Sequence, residues 1–208
     1  AQTVNHYDFS EAYTVQSVEC SLRDLKTDRI DLLLLHRPDF LMDIHEVAAT
    51  FAALKEAGKV LHFGVSNFTV HQLRCLQSAL REPLVTNQIE FSPLEMSPLS
   101  DGTLDQAQRM GMRPMLWSAL AGGRLFEPKT ERERAVVATL EGIADEVGAR
   151  SIAAVAYAWS MALPSSPHPI LGTGKIDRVE QAIQATTIKL TREQWYRVWE
   201  ASNGAPVP

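Results

Sequence analysis

Residues 30–35 read IDLLLL and run directly into HRPD at residues 36–39. A short, nearly continuous apolar run predicts a strand that is buried on both faces of a parallel sheet. Residues 43–57 predict a helix, because Asp43 and Glu46 match a capping box, apolar residues recur every three or four positions, and Gly58 follows. The polar stretch 36–39 therefore lies where a strand gives way to a helix.

The same alternation of strand and helix continues along the chain. Further strands are predicted at residues 60–65, 84–90, 114–117 and 169–171. Further helices are predicted after Thr69 (paired with Gln72), at 101–110, 131–147, 151–162 and 175–185, and after Thr191 (paired with Gln194). An earlier helix is predicted after Ser10, with Val15, Val18, Leu22 and Leu25 as its apolar stripe and Tyr13 packed near its first turn.

Strands that are separated by helices must be parallel, because a crossover helix returns the chain to the same edge of the sheet. Five such strands fit either an open doubly wound sheet or part of a barrel. A dinucleotide-binding doubly wound fold needs a G-x-G-x-x-G turn after its first strand, and this sequence has none. We therefore interpret the chain as an α/β fold containing roughly the last five βα units of a (β/α)8 TIM barrel.

The composition is that of a soluble globular protein, with 45% hydrophobic and 22% charged residues. A net charge of −5 argues against nucleic acid as the main partner, and the apolar runs are too short to span a membrane. Cys20 and Cys75 have no metal-ligand spacing and are predicted to be reduced thiols in a cytoplasmic protein. The protein is expected to be a monomer or a weak homo-oligomer.

Each predicted strand ends abruptly in polar or aromatic residues. These ends lie at residues 36–39, 64–67, 87–90, 117–118 and 172–175. In a parallel barrel the carboxyl ends of the strands meet at one mouth, where binding and catalytic groups gather. The sequence therefore predicts a ligand-binding site at this mouth.

The residue types suggest which ligand this site binds. Neutral donors and acceptors (Ser66, Asn67, Gln88) suit an amide better than a metal ion, and Trp117 offers a flat face for an aromatic ring. The phosphate-binding features are the turn Gly172, Thr173, Gly174, Lys175 at a helix N-terminus, Arg178 on its first turn, and the loop Gly122, Gly123, Arg124. A nicotinamide dinucleotide has the aromatic head, carboxamide and phosphates that all of these would bind.

Several longer stretches resemble the aldo-keto reductase family, in particular a bacterial subgroup of predicted oxidoreductases. They are RIDLLLLHRPD (29–39), GKVLHFGVSNF (58–68), TNQIEFSP (86–93), PMLWSALAGGRLF (114–126) and PILGTGKIDR (169–178). They occur in the family's order and spacing and cover nearly the whole chain. This resemblance implies a barrel oxidoreductase that uses NADP.

The resemblance also implies a role for individual residues. His36 matches the catalytic histidine that orients the substrate carbonyl, and Trp117 stands where the family usually stacks a tyrosine on the nicotinamide. The matching cofactor residues are Ser66, Asn67 and Gln88 for the carboxamide; Ser118, Leu120, Gly122, Gly123 and Arg124 for the pyrophosphate; Thr173, Lys175 and Arg178, on the turn with Gly172 and Gly174, for the adenosine 2′-phosphate; and Gln181 near the adenine. A 2′-phosphate pocket favours NADPH over NADH.

The family's catalytic tyrosine, lysine and aspartate have no match in this sequence. Asp8 and Tyr13 imitate the aspartate and tyrosine, but they lie too close before His36 to leave room for the intervening helices and strand. We therefore expect residues 1–208 to form a single aldo-keto reductase-like domain that lacks the first three βα units, with the three missing groups upstream of Ala1.

The favoured function is an NADPH-dependent oxidoreductase that reduces a small-molecule aldehyde or ketone to an alcohol by hydride transfer. The main alternative is a regulatory module that binds NADP(H) without chemistry. A barrel hydrolase using His36 as a base is a third reading, but the sequence offers it no nearby nucleophile or metal-ligand cluster.

Overall fold

The computed structural model describes residues 4–207, which form eight α-helices and five strands. The helices are α1 (Glu11–Leu25), α2 (Ile44–Glu56), α3 (Val70–Ala79), α4 (Thr103–Met110), α5 (Glu131–Val147), α6 (Ile152–Met161), α7 (Ile176–Ala185) and α8 (Arg192–Asn203). The strands are β1 (Ile30–Leu35), β2 (Val60–Ser66), β3 (Asn87–Glu90), β4 (Met115–Trp117) and β5 (His168–Pro169). They form one sheet in the order β1-β2-β3-β4-β5, and β1–β2, β2–β3 and β4–β5 pair in parallel. The predicted alternation of parallel strands and helices is confirmed.

The chain divides into two compact units at residue 88. In the first, which includes β1 and β2, the ring of Phe51 on α2 stacks on Phe63 of β2 with centroids 3.9 Å apart. Gly64 allows the strands beside it to approach closely, because a Cβ there would lie 2.6 Å from the Leu34 side chain and 2.9 Å from the Thr86 carbonyl oxygen. Any larger residue at this position would push the strands apart.

The second unit is built around three stacked aromatic rings. Trp159, which is fully buried on α6, lies between Phe91 and Trp195, with ring centroids 5.2 and 5.1 Å away. Each indole nitrogen of the tryptophan pair donates to the other residue's backbone carbonyl, at 3.0 and 3.1 Å. These two bonds satisfy both indole N–H groups and join α6 to α8.

Most of the helix starts are confirmed by their caps. Capping boxes join Thr69 to Gln72 and Thr191 to Gln194, and the Ser10 and Ser151 hydroxyls also accept N-terminal N–H groups. Of the capping box predicted at Asp43 and Glu46, only the Asp43 side-chain cap forms. Asp43 accepts the N–H groups of His45 and Glu46, but the Glu46 carboxylate accepts from the Glu11 backbone at 2.8 Å.

The stripe predicted for α1 is wrong at its end. Val18 and Leu22 are buried, whereas Leu25 is 68% exposed because the helix ends there and the chain turns through a left-handed Lys26. Tyr13 is half exposed and does not pack as predicted. Thr14, which the predicted stripe did not include, is buried.

The largest differences from the predicted bounds are in β3, β5 and α4. β3 begins at Asn87 and not at residue 84, where the Leu84 N–H donates to the Gln77 side chain at 2.8 Å. β5 is His168–Pro169 and not residues 169–171, so His168 lies in a strand and not in a loop. α4 begins after a left-handed Gly102, and the Asp101 carboxylate accepts the Thr103 N–H at 2.8 Å.

Cys20 on α1 and Cys75 on α3 are free cysteines. Among residues 4–207, no helix has the length and apolar character needed to cross a bilayer.

Candidate functional site

His36 is the first residue after β1, and its side chain is exposed. The loop that follows is held by Asp39, whose carboxylate accepts the backbone N–H groups of Phe9 at 3.3 Å and Leu41 at 2.9 Å. Two large apolar side chains in this loop, Phe40 and Leu41, are 91% and 92% exposed. The sequence analysis did not single them out, although the apolar pair directly after a candidate catalytic histidine was visible.

The three residues predicted to hold a carboxamide form one hydrogen-bonded group. The Ser66 hydroxyl and the Asn67 backbone N–H both donate to the Gln88 carbonyl, at 3.0 and 2.9 Å, and Asn67 Nδ2 donates to the Ser66 hydroxyl at 2.9 Å. Asn67 has a left-handed backbone (φ 58°), a conformation that asparagine tolerates better than most residues. The predicted residues at the ends of β2 and β3 are therefore neighbours.

A buried asparagine that the sequence analysis did not single out joins the turn after β2 to the start of β3. Asn87 Nδ2 donates to the Phe68 carbonyl at 2.8 Å, and the Phe68 N–H donates to Asn87 Oδ1 at 3.4 Å. The signal that could have found it is the amide side chain of Asn87 directly before Gln88, inside the predicted strand at residues 84–90.

The second unit contains a cavity of about 670 Å³. Nine of the predicted cofactor residues line it: Trp117, Ser118, Leu120, Gly122, Gly123, Gly172, Thr173, Arg178 and Gln181. They come from the end of β4, the loop after it, the loop after β5, and α7. Widely separated stretches of the sequence thus converge on one concave surface, which is the usual form of a small-molecule site.

The loop after β4 has an unusual backbone. Ser118 and Ala121 have positive φ angles of 51° and 54°, and Gly122 and Gly123 have φ angles of 62° and 93°. Left-handed backbone at a residue other than glycine costs roughly 1–2 kcal/mol, and such strain clusters at binding sites. The tight loop turns its backbone along the cavity wall.

Arg124, which ends this loop, does not line the cavity. Its guanidinium donates to the Ala121 carbonyl at 3.2 Å and to the buried Glu133 carboxylate at 3.3 Å. The Glu133 carboxylate also accepts the backbone N–H groups of Lys129 and Thr130, and these two bonds, reinforced by Arg124, lower its pKa. In this structure Arg124 therefore binds its own loop to the start of α5.

The start of α7 borders the cavity and carries positive potential. Its N-cap residue, Lys175, makes no side-chain capping bond, so the first N–H groups of the helix have no side-chain partner there. The Thr173 hydroxyl accepts the Lys175 N–H at 3.1 Å, and Arg178 lines the cavity, whereas Gly174 and Lys175 do not. Asp177 also lines it, an acidic group that the sequence analysis did not weigh.

Tyr157 on α6 is a further lining residue that the sequence analysis missed. Its side chain is buried, and that burial raises the pKa of its hydroxyl. Its position fits the apolar pattern of α6, so it could not be distinguished by pattern from a core residue.

The Asp8 and Tyr13 pair has local roles in the structure. The Asp8 carboxylate accepts the Ser10 N–H at 2.9 Å, which lowers its pKa, and Tyr13 is half exposed on the first turn of α1.

A separate cavity of about 610 Å³ lies in the first unit, against Phe51, Phe63 and the loop after α3, and none of the predicted site residues lines it. In residues 4–207 no group of three or more His, Cys, Asp or Glu side chains is arranged to bind a metal ion.

Comparison with known proteins adds an independent line of evidence. The model of the aldo/keto reductase family matches residues 1–203. Oxidoreductase YdhF of Escherichia coli (strain K12) is 50% identical over 205 residues, which are 99% of this chain and 68% of that protein. The 6-dehydroglucose reductase of Novosphingobium aromaticivorans is 41% identical over 203 residues, 97% of this chain and 66% of that protein.

A solved structure gives the same assignment from the fold. The thermostable aldo-keto reductase Tm1743, crystallised with the inhibitor epalrestat, matches with a TM-score of 0.84 at 28% identity, over 93% of this chain and 67% of that one. The predicted α/β barrel class is therefore confirmed, and the oxidoreductase relatives support carbonyl reduction in general terms. The chain belongs to the aldo/keto reductase family.

Proposed function

We propose that this protein is an NADPH-dependent reductase that converts an aldehyde or ketone to an alcohol. The observation that carries the proposal is the cavity of the second unit, which collects nine residues predicted to contact the cofactor. Its volume of about 670 Å³ lies within the range of roughly 300–1,000 Å³ that is usual for ligand pockets.

The lining of the cavity suits the phosphates of a dinucleotide. At Gly122, Gly123 and Gly172 no atom beyond the glycine and its two chain neighbours lies within 4 Å of where a Cβ would stand, so the space over the backbone is open. The uncapped start of α7 supplies N–H donors, and Arg178 supplies a cation at the same wall. Both features favour an anionic ligand, and a cation beside Thr173 favours NADPH over NADH.

The aromatic and amide groups suit the nicotinamide end. Trp117 offers an indole face at the cavity, and Gln88 has a half-buried side-chain amide that makes no hydrogen bond within residues 4–207. Together with Ser66 and Asn67, that amide would hold the carboxamide and fix which face of the ring meets the substrate. When bound, the reduced cofactor supplies the hydride.

His36 would act on the substrate carbonyl. An imidazole N–H can donate to the carbonyl oxygen and stabilise the negative charge that develops there as hydride reaches carbon. Its exposed position directly after β1 leaves the ring accessible to a small molecule. The apolar side chains of Phe40 and Leu41 in the next loop would border the rest of that substrate.

The substrate class is a small carbonyl compound. The relative named 6-dehydroglucose reductase suggests a sugar-derived aldehyde or ketone as the first to test, beside simple aromatic and aliphatic aldehydes. The test is oxidation of NADPH by the full-length protein with each carbonyl compound, with alcohol formation measured in parallel. Activity with NADPH that falls sharply in His36→Ala, while NADPH binding is kept, would support the proposal. NADPH binding without reduction of any carbonyl compound would favour a regulatory module.

A further inference from the structure

The side chain of Tyr157 has a polar end in an otherwise apolar helix. Within α6, which reads IAAVAYAWSM, the indole N–H of Trp159 and the hydroxyl of Ser160 both donate to backbone carbonyls, at 3.0 Å each. Tyr157 is only 4% exposed. No group within residues 4–207 forms a hydrogen bond with its hydroxyl.

The Tyr157 hydroxyl is open to a partner from outside the protein. Among the described residues the Ser165 hydroxyl is the fully buried side-chain oxygen that lacks a hydrogen bond, so the Tyr157 oxygen keeps some exposed surface although the residue as a whole is buried. Phenylalanine would fill the same volume but would present no hydrogen-bond donor to the space beside it. The ring lines the cavity of the second unit with Ala153 from the preceding turn of α6, and this is where a ligand could supply the missing partner.

The neighbouring side chains indicate which part of a ligand would meet this hydroxyl. Arg178 and Gln181 of α7 line the same cavity, and α6 packs against α7. Under the proposed function these two residues contact the adenosine 2′-phosphate and the adenine. The adenosine half carries phosphate and ribose oxygens, which accept hydrogen bonds. A tyrosine hydroxyl is protonated at neutral pH and can donate a hydrogen bond, and the burial that raises the pKa of Tyr157 further favours this neutral form.

We propose that the Tyr157 hydroxyl is a further cofactor-binding group, which donates a hydrogen bond to an oxygen of the adenosine half of NADP(H). This inference rests on the proposed function, because it requires the dinucleotide to occupy this cavity. It assigns to α6 a polar contact that the sequence pattern alone does not indicate.

Adenosine 2′,5′-bisphosphate is the probe, since it contains the adenosine half alone. Its binding to the full-length protein would be measured by calorimetry for the wild type, Tyr157→Phe, Arg178→Ala and Tyr196→Phe. Tyr196 on α8 does not line the cavity and is the matched control. We expect Tyr157→Phe to weaken binding about five- to tenfold, the loss of one hydrogen bond to a ligand, and Tyr196→Phe to leave it unchanged.

A second readout separates this role from a structural one. The unliganded Tyr157→Phe protein should unfold at the same denaturant concentration as the wild type or a higher one, because the hydroxyl makes no bond to lose. Unchanged affinity in Tyr157→Phe, with weakened affinity in Arg178→Ala, would overturn the inference and leave the proposed function standing. If the wild type does not bind the probe, or if Arg178→Ala has no effect on its binding, then the adenosine site and this inference fail together.

Discussion

The side-chain amide of Asn87 forms two hydrogen bonds with the backbone of Phe68, one through its Nδ2 at 2.8 Å and one through its Oδ1 at 3.4 Å. Asn87 precedes Gln88, and Phe68 follows Asn67, so this pair joins the turn after β2 to the start of β3. Both residues are buried. The amide thereby fixes the backbone from which Asn67 and Gln88 project.

Asn87→Ala should therefore destabilise the protein and weaken cofactor binding together. Removing the amide leaves two buried backbone groups without partners, which costs about 1–3 kcal/mol in the free energy of unfolding. Chemical denaturation and NADPH titration would measure the two effects. Asn203→Ala is the control, since Asn203 is exposed and makes one 3.4 Å bond to the Ala205 carbonyl. Full stability in Asn87→Ala would show that the pair is not required for folding.

Trp117 should report on cofactor binding. It lines the cavity of the second unit, while Trp159 and Trp195 are bonded to each other in the core. We expect NADPH to quench tryptophan fluorescence and Trp117→Phe to abolish most of that change. Trp199→Phe is the control and should retain the quenching. Quenching that survives in Trp117→Phe would mean that the nicotinamide does not stack there.

Arg178 should distinguish NADPH from NADH. A charge-assisted contact to a phosphate contributes about 1.5–3 kcal/mol, so Arg178→Ala should weaken NADPH binding about tenfold or more and leave NADH nearly unchanged. Lys175→Ala should have a smaller effect, because Lys175 does not line the cavity. Arg192→Ala, at the exposed start of α8, controls for loss of charge. Equal losses for both cofactors would contradict the 2′-phosphate assignment.

Glu133 should make stability depend on pH in a defined direction. Its carboxylate accepts two backbone N–H groups and an Arg124 bond, so its pKa is lowered in the folded protein. A lowered folded pKa stabilises the protein above the ordinary glutamate value of about 4.3, and that stabilisation is lost as the pH falls through the lowered pKa.

The test is a comparison of Glu133→Gln with the wild type over a range of pH. The variant should be less stable at neutral pH, and the difference should close in acid below the lowered pKa of Glu133. Glu131→Gln, on the same turn of α5, should change little, since the Glu131 carboxylate accepts no hydrogen bond within the described residues. A gap between Glu133→Gln and the wild type that stays constant across this pH range would contradict the account.

The parts of the fold that local chemistry determines could be predicted from the sequence. β1 and α5 begin and end at the predicted residues, because a run of leucines and a stripe between Thr130 and Gly148 are unambiguous signals. The start of β5 was missed because it depends on a partner strand. The His168 N–H donates to the carbonyl of Pro114, which flanks β4, and the Ile170 N–H donates to the carbonyl of Leu116 in β4, both at 2.8 Å. Pro169 lies between them and has no N–H, so it loses no hydrogen bond in this pairing.

The site, too, contains residues that the sequence predicts and residues whose roles depend on distant partners. The strand-end residues were predictable, since each follows an apolar run, and four of them, Trp117, Ser118, Gly172 and Thr173, line one cavity. The role of Arg124 could not be predicted from the sequence, because its hydrogen bond to Glu133 depends on how the loop folds back on α5. Tyr157 was hidden because a tyrosine on the apolar face of a helix has the same pattern whether or not its hydroxyl finds a partner.

The most direct test of the central claim is a titration of the full-length protein with NADPH and with NADH, followed by mixing the NADPH complex with a panel of aldehydes and ketones. The account predicts one NADPH bound per chain, tighter binding than for NADH, and formation of an alcohol in step with oxidation of the cofactor. Failure to bind either dinucleotide, or tight NADPH binding with no carbonyl compound reduced, would contradict it.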